Sequence, residues 1–244
     1  MSRYSGKNAI VTGGSTGIGL ATAELLIAEG ARVLITGRNE KTLAAAKERL
    51  GEGASVLTSD TSSLADIDVL AQEARRQFDG IDFLFINAGI AKFAPIEQVT
   101  VELFDDTLGI NAKGALFTVQ KLLPQLRRGA GIVLNTSAVD ELGLPNTSVY
   151  AASKAALRSL ARTLSTELLP RGIRVNAVSP GPVETPIMDK AGMDAAGREG
   201  FRLMNPMKRF GEPAEVGRAA LFLGFDATYT TGAELPVDGG FGQL

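Results

Sequence analysis

The 244-residue chain contains no cysteine, no histidine and no tryptophan. Without cysteine or histidine it cannot assemble a Cys/His zinc site, a Ser-His-Asp triad or a thiolate nucleophile, and no metal site is expected. Disulfides are excluded too, which suits a reducing compartment. No apolar run reaches the length of a membrane span, and the polar opening Met1-Ser-Arg-Tyr-Ser-Gly-Lys-Asn8 lacks the pattern of a signal peptide. These features predict a cytoplasmic protein with no membrane partner. Basic charge is not in excess: 25 Lys+Arg stand against 27 Asp+Glu, a net charge of −2, and no basic cluster interleaves with aromatics. No nucleic-acid partner is expected. Acid–base chemistry is left to Tyr, Lys, Asp, Glu or a bound water.

What is present is a hydrophobic content of 45 %, enough to bury a full core and to predict a single domain over 1–244. Short apolar runs at 8–12, 32–36, 54–59, 81–86, 131–135, 173–179 and 233–237 read as strands. Between them, helical spacing recurs at 20–28, 40–50, 64–78, 101–123, from Tyr150 onward and at 213–223. Strand and helix in alternation predict an α/β fold, a doubly wound seven-stranded parallel sheet with helices on both faces, Rossmann-like. The run Ile81-Asp-Phe-Leu-Phe-Ile86 is almost all apolar, as a parallel strand covered on both sides should be. Residues 186–213 are the least regular, with Gly192, Gly197, Gly200 and Gly211 among Met188, Met193, Met204 and Met207. Such a segment reads either as a lid over an apolar substrate or as a pair of short surface helices packed by methionine.

Tyr150-Ala-Ala-Ser-Lys154 opens a long helical pattern, so Tyr150 and Lys154 share one helix face. A phenol titrates near ~10, and a neighbouring ammonium favours its ionised form, which predicts a Tyr150 able to exchange a proton near neutral pH. Ser137 ends the strand at 131–135, where its hydroxyl could face the phenol across a cleft. At the front of the chain, Gly13-Gly-Ser-Thr-Gly17-Ile-Gly19 follows a strand and precedes a helix. Glycines there allow a tight turn and close backbone approach, and the helix start offers free N–H groups to a pyrophosphate. After the second strand, the slot where a carboxylate would grip a ribose 2′-hydroxyl holds Gly37, and Arg38 follows. That pattern suits a 2′-phosphate, hence NADP(H) with NAD(H) as second choice, unless Arg38 is only a solvated turn residue. Asp60 could accept from an adenine amino group or cap the next helix. Asn87-Ala88-Gly89 again permits a ligand to approach closely. Asn111 interrupts a helical pattern, either for an interhelical hydrogen bond or to hold a water. Pro180-Gly181-Pro182-Val183 is a rigid turn out of the sixth strand.

Taken together, Thr12-Gly13-Gly14-Ser15-Thr16-Gly17-Ile18-Gly19, Asn87-Ala88-Gly89, Asn111, Ser137, Tyr150-Ala-Ala-Ser-Lys154 and Pro180-Gly181 resemble the short-chain dehydrogenase/reductase family over nearly the whole chain. The resemblance implies hydride transfer between a nicotinamide coenzyme and a small carbonyl or alcohol, with Asn111, Ser137, Tyr150 and Lys154 as the catalytic set. Tyr150 would protonate the carbonyl oxygen, Ser137 would steady its developing charge, Lys154 would bind the nicotinamide ribose, and Asn111 would hold a relay water. It also implies coenzyme contacts from Ser15, Thr16, Ile18, Asn39 and Thr61, with Val183 and Thr185 meeting the carboxamide. Val139, Pro182 and Met188 would touch substrate together with Ser137 and Tyr150. The family often has a second Asn where this chain has Ile86, and small residues where it has Val139-Asp140-Glu141. A homotetramer is implied, built on the helices around Asn111 and Tyr150 and the C-terminal strand. The small face Ala151, Ala155 and Ser159 fits either close helix approach between subunits or packing within the chain. Among relatives the motifs look closest to bacterial ketone-reducing alcohol dehydrogenases and to 3-oxoacyl carrier-protein reductases. A non-catalytic dinucleotide sensor would be marked by a broken catalytic set, and none of its members is missing.

Overall fold

A computed structural model describes residues 2–190 and 194–244, with backbone alone at 189 and 190. Gly192 and Met193, part of the expected lid, lie outside the described residues. Among the described residues, seven strands form one sheet: β1 (Asn8–Val11), β2 (Arg32–Gly37), β3 (Ala54–Thr58), β4 (Ile81–Ile86), β5 (Leu126–Asn135), β6 (Arg174–Pro180) and β7 (Glu234–Val237). All neighbouring pairs are parallel, in the order β3-β2-β1-β4-β5-β6-β7. The helices are α1 (Gly17–Ala28), α2 (Glu40–Leu50), α3 (Leu64–Gln77), α4 (Val101–Leu108), α5 (Ala115–Leu122), α6 (Ser148–Leu168), α7 (Ile187–Lys190), α8 (Ala195–Met204) and α9 (Pro213–Leu221).

Successive strand residues supply two cores, as a period of two requires. Ile10, Leu34, Leu84 and Ile132 pack with α3, α5 and α6, while Val11, Ile35, Phe85 and Val133 pack with α1, α2 and α9. On α6 the buried stripe runs Lys154, Leu157, Ala161, Leu164 and Leu168. Lys154 therefore sits at the N-terminal end of the stripe that faces the sheet, where the helix overhangs the C-terminal strand ends. The direction of the chain reverses between β1 and β4, and at such a switch point the loops part to leave a crevice.

Two elements depart from the sequence expectation. The strand expected at 131–135 begins at Leu126, because Arg127, Arg128 and Gly129 carry no apolar alternation yet continue β5 through a register shift. Gly129 takes a positive φ of 87° at the irregularity. The helix expected at 101–123 is broken by a π-helical turn, Gly109–Gly114, that carries Asn111. Its side chain is fully committed elsewhere: Oδ1 accepts from Ile90 N (2.9 Å), and Nδ2 donates to Ile90 O (2.9 Å) and Ser153 Oγ (2.9 Å). π turns open the regular ladder and recur at functional sites.

Gly19 sets how closely α1 meets the turn after β1. A Cβ there would lie 2.4 Å from Gly13 O and 2.6 Å from Asn87 Nδ2, both tightly held. Gly19→Ala is expected to lower stability by about 1–3 kcal/mol through overpacking, read from the midpoint of denaturant unfolding; an unchanged midpoint would show that the loop yields freely.

Candidate active site

At the C-terminal ends of the strands, backbone and side chains join into one hydrogen-bonded line. Thr12 Oγ1, just past β1, accepts from Asn87 N and Ala88 N (3.0 Å each). Asn87 Nδ2 donates to Thr12 O (3.0 Å) and Gly13 O (3.1 Å), and its Oδ1 accepts from Asn135 Nδ2 (2.9 Å). Asn135 O in turn accepts from Lys154 Nζ (2.7 Å). The glycine loop and the lysine on α6 are thus tied together across three strand ends.

A cleft of about 830 Å³ opens over this line. Of the residues expected at the site, it is lined by Gly13, Ser15, Thr16, Gly17, Ile18, Arg38, Asn39, Asp60, Thr61, Asn87, Ala88, Gly89, Ser137, Val139, Tyr150, Lys154, Pro180, Gly181, Pro182, Val183, Thr185 and Met188. Gly19 and Asn111 do not line it. Gly19 packs behind the loop, and Asn111 is fully buried behind the wall, pinning the Ile90 backbone to α6 through Ser153. The interhelical hydrogen-bond alternative therefore describes the Asn111 side chain. Met204 and Met207 are exposed and do not reach the cleft, so of the described methionines in the expected lid only Met188 faces it.

The cleft also takes residues that sequence reasoning did not single out. Asn135 is one; its signal was a polar residue closing an all-apolar strand, repeated at Thr12 and Asn87. Phe93, Leu144, Ile187, Phe201 and Phe241 are others, and they make one end of the cleft apolar. Phe93 meets Tyr150 edge to face, with ring centroids 5.6 Å apart, and Phe201 stacks on Phe241 at 6.2 Å. Phe93 and Phe241 stand in loops, which carry no periodicity, and Phe201 stands on α8 within the least regular stretch of the sequence, so nothing in the pattern marked them.

At the other end, the structure fits a dinucleotide phosphate. Thr16 at the start of α1 makes no side-chain cap and the first turn holds no acid, as is also true of α6, whereas α2, α3, α4 and α8 are capped by Asn39, Ser63, Thr100 and Asp194. The N–H groups of a twelve-residue helix are thus left for an anion. A Cβ at Gly37 would lie 2.9 Å from Ser15 Oγ, so a carboxylate in that slot would crowd the loop. Arg38 lies 3.7 Å from Asp60 Oδ2, both partly exposed. Asp60 does not cap α3, as Ser63 does; its Oδ1 accepts from Ser62 N and Oγ (2.8 Å each). Burial acts to raise the Asp60 carboxyl, but these hydrogen bonds and Arg38 outweigh it and hold it below its ordinary value.

The electrostatics of Tyr150 and Lys154 differ from the sequence expectation. Lys154 Nζ lies 5.8 Å from the Tyr150 ring centroid, on the same face of α6 as expected. Burial nevertheless pushes the Tyr150 phenol above its ordinary value; the Ser137 hydroxyl pulls it down, and the charge of Asp140 pushes it up. Burial also brings Lys154 down to about 8, with Asp140 opposing. Lys154 is buried and Tyr150 partly so, and loss of water disfavours the charged form of each. In the chain alone Tyr150 therefore keeps its proton at neutral pH.

Comparison with known proteins agrees with this geometry. The family described as enoyl-(acyl carrier protein) reductase matches residues 13–242. The chain is 40 % identical to the oxidoreductase asL5 of Sarocladium schorii over 99 % of this chain and 98 % of that one. The Pseudomonas aeruginosa RhlG/NADP complex superposes with a TM-score of 0.92 at 32 % identity, covering 99 % of this chain and 100 % of that one. The 3-ketoacyl-(acyl-carrier-protein) reductase of Brucella melitensis, complexed with NADH, gives 0.90 at 32 % identity over 98 % and 99 %. With its parallel sheet, its glycine loop and these relatives, the chain belongs to the short-chain dehydrogenase/reductase family of oxidoreductases.

Proposed function

We propose that the protein is an NADP(H)-dependent carbonyl reductase, reversible to a secondary alcohol dehydrogenase, acting on small apolar ketones. The observation that carries this is the single cleft: an uncapped helix start and Arg38 at one end, Ser137, Tyr150 and Lys154 in the middle, and a phenylalanine-lined pocket at the other. The nicotinamide coenzyme, when bound, supplies or accepts the hydride. Tyr150 gives its proton to the carbonyl oxygen in reduction and takes it back in oxidation. Ser137, whose hydroxyl already favours the ionised phenol, donates to the same oxygen and steadies the charge that develops there. Lys154 is held by Asn135 O through one of its three donors, which leaves the others for the ribose hydroxyls and for the charge on Tyr150. Because the Asn111 side chain is already bonded to Ile90 and Ser153, a relay water there is held by its backbone, in the opened ladder of the π turn.

Arg38 grips the 2′-phosphate. Its pairing with Asp60 is long and partly exposed, so exchanging it for a phosphate costs little. Ile187, Met188 and Phe201, the described residues of the expected lid that line the cleft, are its proposed cover at the substrate end of the single catalytic domain. A cytoplasmic homotetramer is the proposed assembly. It is supported by exposed Val101 and Phe104 on α4 and Phe222, Tyr229 and Leu244 towards the C-terminus, with Ser159 on the open small face of α6. No helix among the described residues is long and apolar enough to cross a membrane.

A steady-state screen of ketones, 3-oxoacyl thioesters, enoyl thioesters and sugars with each coenzyme tests the reaction class. Neutral apolar ketones should be reduced best with NADPH. Cofactor binding without turnover of any of them would revive a sensor role. Tyr150→Phe should lower kcat by about 10²- to 10⁴-fold while coenzyme affinity stays within about twofold; retained turnover would remove Tyr150 from the proton path. Arg38→Ala should raise the KM for NADPH about 10- to 100-fold and leave that for NADH nearly unchanged. Equal effects on both coenzymes would mean that Arg38 does not touch the phosphate.

A further inference from the structure

Behind Ser137, on the side away from the cleft, lies a cluster of charges that the proposed reaction does not use directly. The chain turns sharply after Ser137 through Ala138–Asp140, and Val139 faces the cleft while Asp140 faces inward. The Asp140 side chain is 0 % exposed, and among the described residues neither of its oxygens has a hydrogen-bond partner. Among the described residues, its one opposite charge in ion-pair contact is Arg158 Nε at 3.2 Å. Arg158 stands on α6 one turn beyond Lys154. Its guanidinium also reaches Glu141 and, at 3.7 Å, Glu234 at the start of β7. Glu234 Oε1 accepts from Thr136 Oγ1 at 2.5 Å, and Thr136 is the residue before Ser137. One guanidinium therefore ties the turn that carries Ser137, the helix that carries Tyr150 and Lys154, and the last strand.

We propose that Asp140, Arg158 and Glu234 form a positioning cluster that fixes Ser137 against Tyr150 and sets how readily Tyr150 releases its proton. The inference rests on the role given above to Tyr150. The groups facing Asp140 are Glu141 on its own turn, Lys154 and Arg158 on α6, and Glu234 on β7; three carboxylates stand against Arg158 with Lys154 beyond. Burial and Glu234 push the Asp140 carboxyl up to about 6, so above that pH it is ionised. The negative charge then opposes a phenolate at Tyr150 and favours an ammonium at Lys154. The chain has no histidine or cysteine to add a titration step of its own near neutral pH. Removing the Asp140 charge should ease ionisation of Tyr150. Removing Arg158 should hinder it, because the carboxylates are then uncompensated.

The test uses the holoenzyme with cyclohexanol and NADP⁺, following kcat and kcat/KM of oxidation against pH. In parallel, tyrosinate ultraviolet absorbance is titrated for each protein against its Tyr150→Phe counterpart, in a chain with three tyrosines and no tryptophan. Asp140→Asn should move both the alkaline limb and the Tyr150 titration to lower pH, and Arg158→Met to higher pH, each by roughly half a unit to one unit. Arg158→Lys should restore the unmodified profile in large part. Shifts of both variants in the same direction, or lost stability with an unmoved titration, would overturn the proposal. Asp140→Asn is nearly isosteric and decides the matter alone if Arg158→Met does not fold. If cyclohexanol is oxidised by none of the proteins, the reductase assignment fails for this alcohol while the tyrosinate titration still decides the role of the cluster.

Discussion

The buried hydrogen bond from Lys154 Nζ to Asn135 O is the constraint on which the site depends. It brings an amine that is only 5 % exposed to the end of a central strand, and it can do so because α6 lays its apolar stripe along the sheet. Asn135 passes the connection to Asn87, and Asn87 passes it to the turn that begins the glycine loop. Loops are ordinarily the mobile part of an α/β domain. Here the polar residues that close β1, β4 and β5 bind one another, so the two functional ends of the cleft are fixed by the same line of amides.

That line also governs the electrostatics. In a chain without histidine the proposed proton transfer falls to Tyr150, and a phenol partly withdrawn from water resists ionisation. Lys154 does not by itself overcome this, since burial brings the amine down to about 8 and weakens its hold on positive charge. The Ser137 hydroxyl favours the phenolate and Asp140 opposes it. On the proposed function, Lys154 would hold the ribose of a nicotinamide coenzyme, whose oxidised ring would add positive charge near Tyr150. Proton transfer would then depend on occupancy of the cleft as well as on the protein.

Much of this was legible in the sequence. The apolar runs gave the strands because parallel strands are buried on both faces, and the glycine loop was clear because it stood between a strand and a helix. Tyr150 and Lys154 could be placed on one face by spacing alone, and Ser137 could be put opposite them by the strand that precedes it. What stayed hidden has physical reasons. Arg127, Arg128 and Gly129 continue β5 without alternation, so its first half had no pattern. The π turn at Asn111 is selected by hydrogen bonds to Ile90 and Ser153, which are distant in sequence. Phe93 and Phe241 reach the cleft from loops. In the stretch Val139-Asp140-Glu141, Val139 lines the cleft while the next residue, Asp140, turns into the interior to meet Arg158. Sign of charge is readable from sequence, but the direction in which a loop side chain points is not.

The most direct test is the ionisation of Tyr150 itself. Tyrosinate absorbance can be titrated in the unmodified protein and in Tyr150→Phe, with and without saturating NADP⁺, and the difference isolates one phenol. The expected result is a Tyr150 that ionises above the ordinary tyrosine range in the protein alone and at distinctly lower pH once the oxidised coenzyme is bound. A phenol that ionises at the same pH in both states would contradict the coupling between proton transfer and the occupied cleft.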